Sequence, residues 1–99
     1  MTTGAQPSTS ALPSAAKRIT VRYFASIREA LGQGSETLQT DAATLGALRD
    51  VLIARGGAYA ESLARSRAVR MALDQTLARE DAALHDGAEV AFFPPVTGG

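Results

Sequence analysis

The spacing of apolar residues changes along the chain, and this change restricts the fold more than any other feature. Residues 19–23 alternate apolar and polar side chains, as half-buried strands do. From 45 to 52 the apolar residues recur at helical spacing, and residues 90–93 are predicted to form a final strand. Strands at both ends with a helix between them predict an α+β domain, in which one main helix packs across a mixed sheet.

A short helix is predicted directly after the first strand. Ser26 and Glu29 have the spacing of a capping box, in which the hydroxyl and the carboxylate each satisfy a backbone donor. Gly32 is expected to end this helix in a left-handed conformation. Ser35–Thr40 is then predicted to form a second strand that pairs with the first.

The main helix is predicted to begin after Thr44, which can cap its N-terminus. Its apolar stripe is expected to consist of Leu45, Leu48, Val51 and Leu52, with Arg49 and Asp50 on the other face. Gly56 and Gly57 are expected to end the helix. We do not interpret them as a phosphate-binding loop, because no strand precedes them in the required arrangement.

Shorter elements are predicted to complete the domain. Residues 59–64 are expected to form another helical turn or two, and residues 69–73 a third strand. Asp74 and Gln75 are predicted to connect it tightly to a short strand that extends through Leu77. Asp86 and Gly87 form a strong turn signal before the last strand.

The composition argues against several functional classes. The chain has no cysteine, which excludes disulfides, thiolate metal sites and cysteine nucleophiles. Its one histidine, His85, lies in a polar run and is predicted to be a solvated turn residue. The sequence therefore predicts neither a metal site nor catalytic side chains in this chain.

The charge and hydropathy pattern limits the partners and the location. Ten basic residues balance ten acidic ones, and no Lys/Arg cluster suggests binding to nucleic acid. No apolar run approaches the roughly 18–20 residues of a membrane span, and the N-terminus lacks the apolar region of a secretory signal. We therefore expect a cytoplasmic protein that does not bind membranes.

Three regions are expected along the chain. Residues 1–16 are mostly small and polar, and are predicted to form a disordered N-terminal tail because they offer little apolar surface to bury. Residues 17–95 are expected to form the domain. Residues 96–99 are expected to form a flexible C-terminal tail that ends in two glycines.

The last strand is predicted to present an aromatic side chain on each face. If Val90 and Phe92 face the helix, Ala91 and Phe93 face outward, because adjacent strand residues point in opposite directions. An exposed aromatic residue on an open sheet face is typical of a binding anchor. The alternative is that a loop covers Phe93.

The end of the chain carries the candidate chemistry. Pro94 and Pro95 must end the strand and stiffen the segment that follows it. Gly98 and Gly99 lack a Cβ and could therefore thread a narrow channel in a partner enzyme; the alternative is an ordinary frayed terminus. The terminal carboxylate of Gly99 is ionised at neutral pH. It would need activation, most simply as an acyl-adenylate, before a sulfur nucleophile could convert it to a thiocarboxylate.

Two segments resemble the small subunits of molybdopterin synthase (the MoaD family). Residues 19–32 follow the first strand and helix of that family, and residues 86–99 match its C-terminal signature almost throughout. The resemblance implies a ubiquitin-like β-grasp fold and a sulfur-carrier function. The N-terminal extension through Ala16 departs from the compact members of the family.

The resemblance also implies a reaction cycle. An E1-like adenylyltransferase would use ATP to activate Gly99, and a sulfur-transfer system would convert it to the thiocarboxylate. The tail would then enter the large catalytic subunit and give its sulfur to cyclic pyranopterin monophosphate, which forms the dithiolene of molybdopterin. The family complex is a heterotetramer, and its catalytic side chains would belong to the large subunit. The residues implied to bind partners are Phe93, Pro94, Pro95, Val96 and Thr97, and no permanently bound cofactor is implied.

Two other interpretations remain open. The chain could carry sulfur to another product, such as the thiazole of thiamine, or be conjugated to protein lysines. The run from Phe92 to Thr97 argues against the thiazole carrier. Alternatively, it could be an interaction module whose Gly-Gly end is incidental.

Overall fold

The computed structural model describes residues 16–95, so the predictions for residues 1–15 and 96–99 lie outside the described part of the chain. Five strands and three helices follow one another in the order β1 (Lys17–Tyr23), α1 (Ala25–Leu31), β2 (Ser35–Thr40), α2 (Leu45–Ile53), α3 (Gly57–Leu63), β3 (Arg70–Leu73), β4 (Thr76–Ala78) and β5 (Glu89–Phe93). This order confirms the predicted α+β class.

The five strands form one mixed sheet in the order β2-β1-β5-β3-β4. β1 and β5 lie side by side in the parallel direction, and the other neighbouring strands are antiparallel. The last strand of the chain is therefore inserted in the middle of the sheet. This is the β-grasp arrangement, in which the sheet curves around helices on one side.

The core lies between that side of the sheet and the helices. The fully buried residues come mainly from β1, β5 and α2: Ile19, Val21, Tyr23, Val90, Phe92, Leu45, Leu48 and Leu52. Burial alternates along both central strands, as the period of two predicts. The prediction that Val90 and Phe92 face the helices is confirmed.

The predicted capping box on the first helix is wrong. The helix begins at Ala25, with Phe24 at its N-cap, and no side chain caps it. The carbonyl of Phe24 instead accepts hydrogen bonds from the backbone N–H groups of Ile27 and Arg28. The helix thus starts directly at the end of β1, which brings Ile27 into the core and places Ser26 inside the helix. Gly32 ends it with φ of 76°, as predicted.

The predicted N-cap of the main helix is confirmed, but two residues were placed on the wrong faces. Thr44 Oγ1 accepts a hydrogen bond from Ala47 N at 3.1 Å. Val51, expected in the core, is 41% exposed, whereas Arg49, expected in solvent, is 3% exposed. The reason is that α3 and the segment after it cover the side of α2 that carries Arg49.

The remaining connections follow the predictions closely. Gly56 and Gly57 have φ of 78° and 55°; Gly56 lies between α2 and α3, and Gly57 is the first residue of α3. Asp74 and Gln75 also have positive φ and join β3 to β4, the conformation that favours a tight hairpin. His85 is exposed, as predicted, and its Nε2 lies 2.6 Å from Asp74 Oδ2.

Candidate functional site

The strand that leads to the C-terminal tail is held from both sides. β5 pairs with β1 through residues 20–23 and with β3 through residues 70–73. At its end, the carbonyl of Phe92 accepts a hydrogen bond from Phe24 N at 3.2 Å. The point where the chain leaves the sheet, here called the tail exit and formed by Phe93, Pro94 and Pro95, is therefore fixed relative to the core.

The base of the tail exit is anchored by aromatic packing. Phe92 and Tyr23 are almost completely buried, and their rings stack with centroids 6.3 Å apart and an interplanar angle of 16°. The Tyr23 hydroxyl donates a hydrogen bond of 2.7 Å to Glu36 on β2. Burial and this hydrogen bond both raise the pKa of Tyr23, so its hydroxyl stays a neutral donor.

Glu36 is the centre of a polar cluster behind this aromatic pair. Its carboxylate accepts hydrogen bonds from Tyr23, Tyr59 and Gln33 on one oxygen, and from Arg55 on the other. Burial by itself would raise the pKa of Glu36, but the hydrogen bonds from Arg55 and the two tyrosines outweigh it and lower the pKa. The cluster links β1, β2 and the turn between the two later helices.

A shallow cavity of about 250 Å³ opens beside the tail exit. Pro94 forms part of its lining together with Ile27 from α1, Glu61 from α3 and Arg67 from the segment between α3 and β3. Pro94 is half-buried, whereas Pro95 is exposed. The chain therefore moves from the domain into solvent between the two prolines.

Buried Arg49 holds the segment that forms one wall of this cavity. Its Nε donates to the carbonyl of Leu63 at 2.7 Å, and its Nη2 donates to the carbonyls of Ala64 and Arg67 at 2.7 and 3.1 Å. Its Nη1 donates to Glu80 at 2.9 Å. One guanidinium group thus donates to three backbone carbonyls, of which the Ala64 carbonyl also accepts a hydrogen bond from Arg67 N.

The side of the sheet opposite the core carries an apolar surface, here called the open face and formed by Ala72, Leu77, Ala91 and Phe93. Ala91 lies beside Ala72, and Ala72 lies beside Leu77 in the next strand. Leu77 is 62% exposed, and the other three are half-buried. Phe93 lies on this face, as its alternation with Phe92 predicts, although it is half-buried rather than fully open.

The structure brings three of the predicted site residues together and leaves the others outside its range. Phe93, Pro94 and Pro95 form the tail exit, and Val96, Thr97, Gly98 and Gly99 lie outside the described residues. Neither the place of Leu77 on the open face nor the support that Arg49 gives to one cavity wall was identified from the sequence. The alternation of side-chain direction along the β3–β4 hairpin could have placed Leu77 on the open face. No local sequence pattern predicts that Arg49 is buried.

Residues 16–95 contain neither a candidate metal site nor a candidate membrane span. No group of three or more His, Asp or Glu side chains in this range could hold a metal ion. None of the helices described there has the length and apolar character needed to span a membrane. Within this range the candidate site is thus the tail exit with its surrounding surface.

Comparison with known proteins identifies the family to which this chain belongs. The model of the ThiS family matches residues 21–99, which include the end of β1, all of β5 and the C-terminal segment. The chain belongs to the ThiS family. Among curated ThiS-like relatives, the molybdopterin synthase sulfur carrier subunit of Escherichia coli K12 is 42% identical over 81 residues, which cover 82% of this chain and 99% of the relative. The same subunit from Haemophilus influenzae is 40% identical with the same coverage.

Solved structures agree with this assignment of the ThiS-family chain. SAMP1 from Haloferax volcanii has a TM-score of 0.67 and 25% identity, and the match covers 83% of this chain and 99% of that one. A complex of subunits 1 and 2 of the molybdopterin-converting factor from Helicobacter pylori gives a TM-score of 0.55 and 28% identity, with coverage of 83% and 99%. The ubiquitin-like β-grasp fold and the resemblance to molybdopterin synthase small subunits are both confirmed.

Proposed function

We propose that this ThiS-family chain is the sulfur-carrier subunit of a molybdopterin synthase, and that the carboxylate of Gly99 is its working group. In this proposal the carboxylate is adenylated, converted to a thiocarboxylate and used to deliver sulfur to cyclic pyranopterin monophosphate. The curated relatives, which match 82% of the chain at 40–42% identity, bear this name.

The position of β5 is the structural observation that carries the proposal. A central strand, paired on both edges and packed through Phe92, ends at Pro94 and Pro95 on the surface. Two prolines stiffen the segment that follows because each restricts φ to about −65°. A carrier needs this combination of a rigid base and a slender end, since its terminal group must reach into another protein's active site.

The length of the tail determines which surface a partner must cover. Residues 96–99 can extend at most about 14 Å, at roughly 3.5 Å per residue. A partner whose active site receives Gly99 must therefore dock close to the tail exit. The open face adjoins the exit through Phe93 and offers Leu77 as a second apolar anchor.

The proposed partners use this surface in succession. An E1-like adenylyltransferase binds the tail and uses ATP to activate it. A sulfur-transfer system provides the sulfur, and the large catalytic subunit accepts the loaded carrier. The neighbour from Helicobacter pylori, described as a complex of subunits 1 and 2, supports pairing with a large subunit. The large subunit would supply the catalytic side chains, so this chain acts as co-substrate. We place the cycle in the cytoplasm.

Atom balance in the cycle requires no cofactor bound to this chain. In the proposed first step a carboxylate oxygen of Gly99 attacks the α-phosphorus of ATP, and pyrophosphate leaves. A sulfur nucleophile then forms a C–S bond while the bond to AMP breaks. After sulfur transfer, an oxygen from water restores the carboxylate, so the same chain can be loaded again.

Delivery of sulfur tests the proposal. Thiocarboxylated chain is mixed with the large subunit and cyclic pyranopterin monophosphate, and both the dithiolene product and the mass of the chain are followed. We expect product to form as the chain returns to the mass of its carboxylate form, whereas chain in the carboxylate form gives none. Stable binding without any sulfur transfer would instead favour an interaction module.

A further inference from the structure

The basic residues that surround the tail exit are all arginines. Four of them, Arg22, Arg28, Arg67 and Arg70, form what is here called the arginine rim. The whole chain contains a single lysine, Lys17, among its ten basic residues. The positions of arginine and lysine matter because, in the proposed function, activated Gly99 can acylate an amine.

Two members of the rim adjoin residues of the tail exit, and the other two lie around Phe24. Arg67 lines the same cavity as Pro94, and Arg70 lies beside Phe93 in the sheet. The guanidinium carbon of Arg22 lies 5.5 Å from the centre of the Phe24 ring. The backbone N–H of Phe24 in turn donates a hydrogen bond to the carbonyl of Phe92 near the end of β5. Arg28 lines a surface depression together with Arg22 and Phe24.

The rim is a source of positive charge. Within residues 16–95, Arg28, Arg67 and Arg70 have no carboxylate within ion-pair distance, and only Arg22 is paired, with Glu89 at 3.3 Å. Arg67 and Arg70 are exposed. Their charges are therefore available to an acidic group of a partner or to the phosphate of the bound adenylate.

The one lysine lies at the other end of the sheet. Lys17 begins β1, whereas Tyr23, six residues later, is level with Phe92. Six strand residues span about 20 Å, and Pro95 lies three residues beyond Phe92. Residues 96–99 can extend only roughly 14 Å from Pro95, so Gly99 does not reach Lys17. The Lys17 ammonium also donates a hydrogen bond to the carbonyl of Ala42 at 3.2 Å.

Arginine and lysine differ chemically toward an activated carboxyl group. A deprotonated lysine amine attacks the carbonyl carbon, the C–N bond forms, the bond to AMP or thiol breaks, and the amine proton goes to solvent. The product is an amide that no longer carries sulfur. A guanidinium keeps its proton throughout the physiological range and has no amine lone pair to offer.

We propose that the arginine rim supplies positive charge at the tail exit while keeping amines out of reach of activated Gly99, so that the carrier does not acylate itself. The idea rests on the proposed function only in taking Gly99 as the activated group. The expected consequence is that a lysine at a rim position is acylated by activated Gly99, whereas a lysine far from the rim is not.

The test uses the full chain with a chemically activated terminus, so it does not depend on any activating enzyme. A 2-mercaptoethanesulfonate thioester at Gly99 is prepared by intein cleavage for the wild type, Arg67→Lys, Arg70→Lys and the control Arg18→Lys. Arg18 adjoins Lys17 at the far end of β1. The thioesters are kept at about pH 9, where a fraction of lysine amines is deprotonated.

Peptide mapping identifies any amide between Gly99 and a lysine side chain, and the Met1 amine, present in every variant, is scored separately. We expect the wild type and Arg18→Lys to lose thiol by hydrolysis, and the Arg67→Lys and Arg70→Lys proteins to form the internal amide about ten-fold faster or more. A branch at Lys17 in the wild type, or rim variants no faster than Arg18→Lys, would overturn the inference. Failure of enzymatic sulfur loading would instead count against the proposed function alone.

Discussion

The guanidinium of Arg49 shows how one side chain positions a wall of the candidate site. It is almost fully buried and donates to the carbonyls of Leu63, Ala64 and Arg67. We expect Arg49→Met to lower the free energy of unfolding by about 3 kcal/mol, because it removes the donor to the buried Leu63 carbonyl and the other hydrogen bonds that hold this segment. Urea unfolding measures the change.

Arg65 provides the matched control for this prediction. It shares the partner Glu80 with Arg49, but its side chain is 45% exposed rather than 4%. Exposed ion pairs contribute little, so Arg65→Met should cost less than about 1 kcal/mol. Equal losses for the two variants would mean that burial does not determine the role of Arg49.

Phe93 is the residue through which the open face meets the tail exit. If a large subunit docks on this face, Phe93→Ala should weaken the association by about 1–3 kcal/mol, as expected for a buried anchor. Calorimetric titration of the large subunit with the variant measures the loss. Val51→Ala is the control, because Val51 is exposed on α2, away from the sheet. Unchanged affinity for Phe93→Ala would place the interface on another surface.

At the scale of whole elements, the polar cluster around Glu36 makes the packing sensitive to acid. The pKa of Glu36 is lowered in the folded protein, whereas the pKa of a glutamate in the unfolded chain is about 4.3. The carboxylate therefore contributes stability above about pH 4.3, and this contribution is lost as the pH falls toward the folded pKa. We expect Glu36→Gln to be less stable than the wild type at neutral pH and to lose less stability on acidification.

Urea unfolding at a series of pH values checks this expectation. The control is Glu29→Gln, since Glu29 is exposed on α1 and should leave the acid profile of the wild type unchanged. A Glu36→Gln protein with the same slope against pH as the wild type would show that the cluster does not link folding to protonation.

The elements that could be predicted are those whose signal is local. Alternation predicted β1, and the turn signal at Asp86 and Gly87 preceded the predicted β5. Thr44 predicted the start of α2. Arg49 and Val51 were misplaced because α3 covers a second side of α2, which no helical period encodes. The cap at Ser26 was wrong because the carbonyl of Phe24 accepts the bonds that a side chain was expected to provide.

The candidate site likewise has some features that the local sequence predicts and others that it does not. The Pro94–Pro95 stop and the Gly-Gly ending could be read from the sequence. The cavity beside Pro94 and the open face around Leu77 depend on contacts between elements distant in sequence. Such contacts become visible only once the strand order is known, because β5 lies between β1 and β3 rather than beside its neighbour in the chain.

In the whole molecule, the proposed function separates the folded domain from the reacting group. Under this proposal the described residues provide a fixed base, a docking surface and charge, whereas the reacting atoms belong to Gly99. A carrier of this kind should therefore keep its fold when its terminal residue is removed and lose only its ability to take up sulfur.

Intact mass tests this central claim most directly. The chain and a variant without Gly99 are incubated with ATP, an E1-like activating enzyme and a sulfur source, beside a known carrier as positive control. We predict that the full chain gains the mass of one oxygen replaced by sulfur, and that the shortened chain, folded normally by circular dichroism, gains nothing. No gain in the full chain, under conditions that load the known carrier, would contradict the account.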